Sequence, residues 1–252
     1  MRIRTLALFG VAAYALFLVA TVPATFVASR VASSSGGAVE ITNVAGTVWE
    51  GSARATVNAP GGRVALDRIE WHFAPMELAA GHFAYRVGIE SSAATVNAVV
   101  GRGWSRWIAG ATEARIDAAK APLFVPLLGA WHPEGTVLVT SEGGRYTDDG
   151  RADGSALVTW NDAAVSLSDV KPLGKYIIEM RANDGPVDLA VKTAGGSLRV
   201  TGHGSITPAG AASFSGEARG DGARAKDLDP LLDMMGPRRA DGARTLEMRL
   251  QR

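Results

Sequence analysis

From Val39 to the C-terminus, apolar and polar residues alternate with a period of two, and this feature most limits the possible folds. The segment 82–90 is the clearest case, with apolar residues at Phe83, Tyr85, Val87 and Ile89. Because successive side chains of a strand point to opposite faces of a sheet, the alternation predicts half-buried β-strands. A helix would require a period of 3.6 residues. The pattern therefore predicts an all-β domain.

Turn-forming residues separate the alternating runs. Glycine occurs 30 times in 252 residues and recurs between short apolar segments, which favours many turns over long helices. The predicted strands cover residues 54–58, 63–69, 82–90, 135–140, 155–160, 175–181, 186–192, 197–206, 211–219 and 245–250, with a polar loop at 141–154. Short turns between them predict an antiparallel arrangement. Alternation alone leaves open whether this is one curved sheet or a sandwich of two sheets.

Two segments depart from the strand pattern. Residues 104–114 fit either a short amphipathic helix or a strand. Asp229 and Pro230, followed by an apolar run and Gly236, predict a short helix. Asp229 is expected to accept hydrogen bonds from free backbone N–H groups, Pro230 suits the first turn, and Gly236 suits a left-handed end.

The N-terminal segment predicts a membrane anchor. Residues 5–29 contain no charged side chain and follow Arg2 and Arg4. This run is longer than the ~20 residues that cross a bilayer core. The backbone of a spanning segment must satisfy its own hydrogen bonds, so a transmembrane helix is expected over 6–28. The arginines predict that residues 1–5 stay in the cytoplasm, and Pro23 is expected to kink or end the helix.

Beyond the anchor, residues 29–38 are expected to form a flexible spacer and 39–252 a β-rich domain outside the cytoplasm. A cleaved signal peptide is the alternative, with Val31-Ala32-Ser33 as the most suitable cleavage site. The apolar run is longer than that of a usual signal peptide, which favours the anchor.

Composition excludes several classes of function. The 26 basic residues nearly balance the 25 acidic ones and form no cluster, so the chain lacks the basic surface of a nucleic-acid-binding protein. The absence of cysteine excludes disulfides, thiolate zinc sites and cysteine nucleophiles. None of the four histidines (His72, His82, His132 and His203) has another at the i, i+4 spacing of a helical metal site.

Catalytic motifs are also lacking. The sequence has no nucleophile elbow, phosphate-binding loop or dinucleotide fingerprint in a strand-to-helix context. Asp148, Asp149, Asp153 and Asp162 lie in polar turns, where they are expected to be solvated and not to act as a catalytic pair. We therefore expect no enzyme activity, no metal and no cofactor.

The tryptophans fall into two groups. Trp49, Trp71 and Trp160 each end an alternating run, as side chains that face a core do. Trp104 and Trp107 are framed by Arg102 and Arg106. Tryptophan is enriched at protein interfaces and at membrane surfaces, so these four residues are candidates for contact with a partner or with the membrane.

Motifs in a particular order carry a family resemblance. They are Gly46-Thr-Val-Trp49-Glu-Gly51, Ile69-Glu-Trp71 running to Pro75 and Leu78, Gly135-Thr-Val-Leu138, Gly154 through Trp160 to Ala163, Leu173-Gly174-Lys-Tyr176, Leu198 to Ser205, Leu231 to Gly236, and Asp241-Gly242-Ala-Arg244. In this order, over nearly the whole chain, the sequence resembles the N component of the bacterial type II secretion system (general secretory pathway protein N). The residues expected to have structural roles in this signature are Gly46, Trp49, Gly51, Trp71, Gly135, Trp160, Gly174 and Gly202.

The resemblance implies an accessory subunit of the machine that exports folded proteins across the outer membrane. It implies a single-pass protein of the bacterial inner membrane, with the β-domain in the periplasm contacting other secretion components, and it implies no catalytic residues. The alternative is a lipid-binding or lipid-transfer module whose curved sheet encloses an apolar groove. A hydrolase is the third class considered.

Overall fold

The computed structural model describes Tyr14, residues 17–79 and residues 81–250. Within these residues, thirteen strands form one antiparallel sheet in which every strand pairs with its neighbours in sequence. The strands are β1 (Val39–Gly46), β2 (Glu50–Ala59), β3 (Gly62–Phe73), β4 (Phe83–Glu90), β5 (Ala94–Arg102), β6 (Arg106–Asp117), β7 (Glu134–Thr147), β8 (Ala152–Ala164), β9 (Gly174–Gly185), β10 (Val187–Gly196), β11 (Leu198–Ile206), β12 (Ala212–Gly220) and β13 (Arg244–Leu250). The all-β prediction is confirmed. Of the two arrangements left open, the single sheet is the one observed, and among the described residues its first and last strands do not pair with each other.

Short helical segments lie beside the sheet. They are the α-helices α1 (Ala24–Ser34), α2 (Pro75–Leu78) and α3 (Asp229–Met235), and the 3₁₀ segments Ala118–Leu123, Pro126–Trp131 and Ala225–Leu228. The predicted C-terminal helix is confirmed as α3, with Pro230 in its first turn. The predicted capping by Asp229 is wrong, because Asp229 is the first residue of the helix and the N-cap position is occupied by Leu228, with no side-chain capping hydrogen bond. Gly236 is extended (φ 164°) and not left-handed as predicted. A side chain there would collide with the carbonyl oxygen of Thr245, so close approach explains the glycine.

Residues 104–114 form a strand for most of their length, so the helical alternative is wrong. Strand β6 pairs with β5 on one side and with β7 on the other. Both sets of backbone hydrogen bonds are thus satisfied by neighbouring strands, and this tertiary context overrides a weak helical pattern.

The predicted polar loop at 141–154 is also much shorter than expected. Strand β7 continues to Thr147 and β8 begins at Ala152. Gly144 and Gly154 are directly opposed. A Cβ atom on Gly154 would lie 2.7 Å from the Cα atom of Gly144. Because these positions lack side chains, the two backbones approach closely and pairing continues through the polar segment.

The N-terminal segment breaks at Pro23. Residues 17–20 are helical, Pro23 forms an isolated bridge with Thr47, and α1 follows. Part of the predicted 6–28 span, residues 6–13 and 15–16, lies outside the described residues. Among the residues that are described, no helix combines the length and apolarity needed to cross a membrane. Residues 29–34, expected in a flexible spacer, belong to α1 instead.

The strands alternate in direction, so the turns alternate between two ends of the sheet. The end with the β1–β2, β3–β4 and β5–β6 turns is here called the proximal end, and the other the distal end. Two hydrogen bonds attach the N-terminal segment at the proximal end. The indole N–H of Trp49 donates to the carbonyl of Val19 at 2.8 Å, and the backbone N–H of Val48 donates to that of Val22 at 3.0 Å.

The best-buried core lies on one side of the C-terminal strands. Its members are Val165, Val170, Leu173, Leu198, Ala218, Leu228, Leu231 and Leu232. They come from the β8–β9 connection, from strands β11 and β12, and from the 3₁₀ segment Ala225–Leu228 with α3. Arg244 of β13 is buried and forms an ion pair with Asp233 of α3, so charge pairing reinforces the apolar packing of α3 on the sheet.

Candidate functional site

One face of the sheet is apolar across strands β3 to β10. Directly paired residues form a row on this face: Ile69, Ile89, Val96, Ala114, Val139, Val158, Ile178 and Val191. A row on the opposite face contains Glu70, Asn97, Glu113, Thr140, Glu179 and His203. The sheet is therefore amphipathic, and the apolar face needs a cover to exclude water.

Helix α1 flanks the apolar face beside β1 and leaves a cavity of about 460 Å³. Residues Ala24, Val27, Ala28 and Val31 of α1 form one wall. Their i, i+3, i+4, i+7 spacing places them on a single side of the helix. The sheet wall consists of residues on the apolar face of β1 to β6, among them Ile41, Ala53, Ile69, Trp71, Tyr85, Val87 and Val100.

An aromatic cluster lies at the proximal part of this cavity, and two of its members, Phe83 and Tyr85, line the cavity. The rings of Phe73 and Phe83 lie 4.8 Å apart between centroids, and Trp49 packs edge-on against Phe73 at 5.0 Å. Tyr85 contacts both phenylalanines, at 5.7 and 5.5 Å. Burial raises the pKa of the Tyr85 phenol, so this hydroxyl is neutral at physiological pH.

Arg102 places a guanidinium at the rim of the cavity. Its two terminal nitrogens donate to the two carboxylate oxygens of Asp148, each at 2.8 Å. The guanidinium carbon lies 4.8 Å from the ring centroid of Trp107, a cation–π geometry. Phe83, Arg102, Trp107 and Tyr146 are paired in one row across β4 to β7. The charged group is thus held in place by a carboxylate and an aromatic face.

The structure brings together only part of the group Arg102, Trp104, Arg106 and Trp107, which was predicted to contact a partner or the membrane. Arg102 and Trp107 are in contact, and Arg106 begins β6 next to them. Trp104 lies in the β5–β6 turn at the proximal end and is fully exposed. Met76 and Leu78 of α2 are exposed at the same end. The proximal end therefore combines exposed apolar side chains with the rim of the cavity.

The expected structural signature residues lie at close backbone approaches and aromatic contacts. A Cβ atom on Gly51 would collide with the indole of Trp71, and one on Gly202 would lie 2.5 Å from the ring of Phe214. Gly46 has φ +90°, a conformation that suits glycine. At Gly135 and Gly174 a side chain would meet the backbone of the paired strand. These positions let rings or backbones pack directly on the sheet.

The three tryptophans expected to face a core are half-buried. Each indole N–H donates to a backbone carbonyl: Trp49 to Val19, Trp71 to Thr47 at 3.0 Å and Trp160 to Glu134 at 3.0 Å. Satisfying the polar N–H lets the apolar part of the ring pack against the sheet.

Three of the four acidic turn residues, Asp148, Asp149 and Asp153, are engaged by arginines. Asp149 accepts hydrogen bonds from Thr147 and Arg151, which lower the pKa of its carboxyl group. Asp153 lies 3.8 Å from Arg145. A carboxylate stabilised in its ionised form is a poor general acid at neutral pH. Among the described residues, no group of three or more His, Cys, Asp or Glu side chains is arranged to hold a metal ion.

The α1 stripe was not singled out from the sequence, although its signal is present. Ala24, Val27, Ala28 and Val31 have helical spacing, but the first three belong to the long uncharged run 5–29, in which apolar residues are too frequent for one side of a helix to stand out. The break at Pro23 is what separates them from the preceding segment and turns them toward the sheet.

Comparison with known proteins identifies the family. The family described as "Type II secretion system (T2SS), protein N" matches residues 37–247, which span most of the sheet. The type II secretion system protein N of Pectobacterium carotovorum subsp. carotovorum is 25% identical over 244 residues, covering 94% of this chain and 92% of that protein. No solved structure shows a significant match. The resemblance deduced from the motifs is thus confirmed, and the chain belongs to the type II secretion system protein N family.

Proposed function

We propose that this protein is an accessory subunit of the type II secretion system, anchored in the inner membrane, that supports export through contacts with other secretion components. The family match over residues 37–247 is the observation that carries the proposal. No catalytic role is proposed, because the family is one of secretion components and Asp148, Asp149 and Asp153 are engaged in ion pairs with arginines.

The proposed anchor is the uncharged segment before Pro23. Residues 5–22 would span about 27 Å as a helix, close to the thickness of a bilayer core. Arg2 and Arg4 favour a cytoplasmic N-terminus, which would place the sheet in the periplasm. In this arrangement the proximal end of the sheet, where residues 17–23 attach, faces the membrane.

The proposed contact with other secretion components is the outer edge of β13 over residues 246–250. On one side β13 pairs with β12. On the other side Arg238 forms an isolated bridge with Arg244, and the backbone N–H of Thr245 donates to the carbonyl of Pro237. Among the residues described, no strand pairs with that side over 246–250. An edge strand presents unpaired backbone N–H and C=O groups, which proteins use to bind a strand of a partner. At the other edge, β1 is flanked by α1.

Deletion of the gene with complementation in trans tests the function. We expect secreted enzymes to accumulate in the periplasm of the deletion strain while the outer membrane stays impermeable, and the full-length chain to restore export. Normal secretion from the deletion strain would contradict the proposal. A leaky outer membrane with normal secretion would favour lipid handling instead.

Photo-crosslinking in cells tests the edge. A photoreactive residue at Glu247 of β13 should crosslink to another secretion component. Glu113 of β6 belongs to the same polar row in the middle of the sheet and serves as the matched control. Equal crosslinking from both positions would show that the edge is not the contact.

A further inference from the structure

The cavity between α1 and the sheet is lined by apolar side chains that the protein itself covers only in part. Val27 and Val31 line it, yet they remain 44% and 43% exposed. In a closed hydrophobic core such side chains are buried, since burial of each CH₂ group stabilises the folded state by about 0.8 kcal/mol. The volume of about 460 Å³ lies within the range of small-molecule sites.

The apolar surface continues beyond this cavity. A second cavity of about 320 Å³ shares Val100 and Trp107 with the first and reaches Met180 and Val187 on β9 and β10. Between them, Gly144, Gly154 and Ala182 form a floor of small residues. The result is an elongated trough that runs across the strands from α1 to β10.

The chemistry of the walls indicates the occupant. An extended peptide carries an N–H and a C=O at nearly every residue, and each needs a hydrogen-bond partner when buried. The cavity is lined almost entirely by aliphatic and aromatic groups, and the strands that form its sheet wall are already paired on both sides or flanked by α1. A hydrocarbon chain has no such groups to satisfy, so it suits these walls better than a peptide does.

The N-terminal segment indicates where the hydrocarbon chain would come from, because it connects the cavity end of the sheet to the proposed membrane anchor. Val19 and Val22 attach to the proximal end through Trp49 and Val48, and residues 5–18 before them form an apolar, uncharged run. If that run lies in the membrane, as proposed above, the aromatic rim of the cavity is next to the lipid headgroups. The exposed Trp104, Met76 and Leu78 at this end suit the same position.

Arg102 can hold the polar part of the ligand. Asp148 uses two of the five N–H donors of its guanidinium, which leaves donors at the rim for the phosphate oxygens of a lipid. Trp107 fixes the plane of the group. We propose that the cavity binds an acyl chain of an inner-membrane phospholipid, with Arg102 at the headgroup. This inference rests on the proposed membrane anchor.

The full-length protein, reconstituted in vesicles of phosphatidylethanolamine and phosphatidylglycerol, provides the test. A small fraction of the phospholipid carries a photoreactive diazirine near the end of one acyl chain, and labelled residues are mapped by mass spectrometry. We expect labels on cavity residues such as Trp71, Tyr85 and Val87, in addition to residues 5–22. Labels confined to 5–22 would overturn the lipid site while leaving the anchor intact. No label in either region would overturn both.

Two adjacent substitutions in α1 provide a matched pair. Val27→Trp should fill the cavity and lower labelling of the sheet wall roughly tenfold, relative to the labels in 5–22. Phe26→Trp places the same indole at the neighbouring position, where the native side chain is 70% exposed and does not line the cavity, and should leave labelling unchanged. Equal labelling in the two variants would contradict the proposal. Arg102→Gln should weaken labelling if the guanidinium holds the headgroup.

Discussion

The two halves of the apolar face are covered very differently. Over β11 to β13, α3 and the β8–β9 connection bury Leu228, Leu231, Leu232 and Val170 almost completely. Over β1 to β6, α1 leaves Val27, Val31, Phe83 and Val100 more than 40% exposed. The same alternating pattern thus produces a closed core in one half and an open trough in the other.

The difference lies in the covering segments and not in the strands. Helix α3 contributes leucines, and its Asp233 pairs with the buried Arg244. Helix α1 contributes only two alanines and two valines, Ala24, Val27, Ala28 and Val31, so it stands beside the sheet without filling the space. Apolar surface that stays open in a folded protein usually marks a binding site. The closed half would then stabilise the fold, and the open half would remain available to a ligand.

The largest expected effect separates the two halves directly. Leu228→Ala should reduce the free energy of unfolding by about 2–5 kcal/mol, because it leaves a void in a closed core. Val27→Ala in α1 should cost less than about 1 kcal/mol, since its side chain is only partly buried. Urea denaturation followed by tryptophan fluorescence measures both. Similar losses would show that the trough is as well packed as the core.

The next largest effect is expected at glycines where strands pack closely, and it compares the packing of the sheet itself in the two halves. Gly202→Ala should cost about 1–3 kcal/mol, because its Cβ would lie 2.5 Å from the ring of Phe214 and 2.8 Å from the carbonyl oxygen of Ser215. Gly51→Ala introduces the same conflict with Trp71 in the open half. Gly195→Ala, with open space around its Cβ position, is the control. If Gly202→Ala lowers the stability and Gly51→Ala does not, the sheet itself packs less tightly over β1 to β6. The difference between the two halves would then lie in the sheet and not in the segments that cover it.

A smaller effect is expected at a buried hydroxyl. Tyr176 donates a hydrogen bond to the carbonyl oxygen of Leu198 at 3.0 Å in the closed half. Tyr176→Phe should cost about 1 kcal/mol, the usual net value of such a bond. Tyr85→Phe is the matched change in the open half. Thermal unfolding of both variants at neutral pH provides the measurement. A larger loss of stability for Tyr85→Phe than for Tyr176→Phe would show that the hydroxyl of Tyr85 contributes more, contrary to this prediction.

The same two tyrosines should titrate differently. Burial raises the pKa of both phenols, and by much more at Tyr176. The stability contributed by the neutral phenol of Tyr176 is fully present below its ordinary pKa of about 10 and is lost as pH rises toward the folded-state pKa. Ultraviolet absorbance of the wild type and of each Phe variant assigns the phenolate signals. If Tyr176 ionised at a lower pH than Tyr85, the deeper burial of Tyr176 would be contradicted.

The smallest effect is expected on the polar face, which both halves share. A hydrogen bond and the positive charge of Lys192 lower the pKa of Glu179. The stability from this pair is present above the ordinary pKa of glutamate, about 4.3, and is lost as pH falls through the lower folded-state pKa. Glu179→Gln should change the melting temperature slightly at pH 7 and not at pH 3. Glu113→Gln is the control, and a large effect of Glu179→Gln would show that the polar face contributes more than expected from exposed pairs.

Most of the fold was predictable because it depends on local patterns. The alternation along 82–90 and the glycine-rich turn before Arg63 assign strands and turns from neighbours in sequence. The exceptions are informative. Residues 104–114 and the predicted loop 141–154 are strands or strand ends because of pairing with segments that local patterns do not reveal. Similarly, Arg102 and Trp107 looked like one exposed cluster with Trp104 and Arg106, but Asp148, 46 residues away, holds the guanidinium in place.

By itself, the sequence determined the all-β class, the two faces of the strands, the short C-terminal helix and the family, because period, turn chemistry and motif order are properties of neighbouring residues. The tertiary structure decided which part of the apolar face is covered, and by what. That outcome depends on where α1 and α3 come to lie after thirteen strands have paired. The cavity beside α1 is therefore visible only once residues far apart in the chain have been brought together.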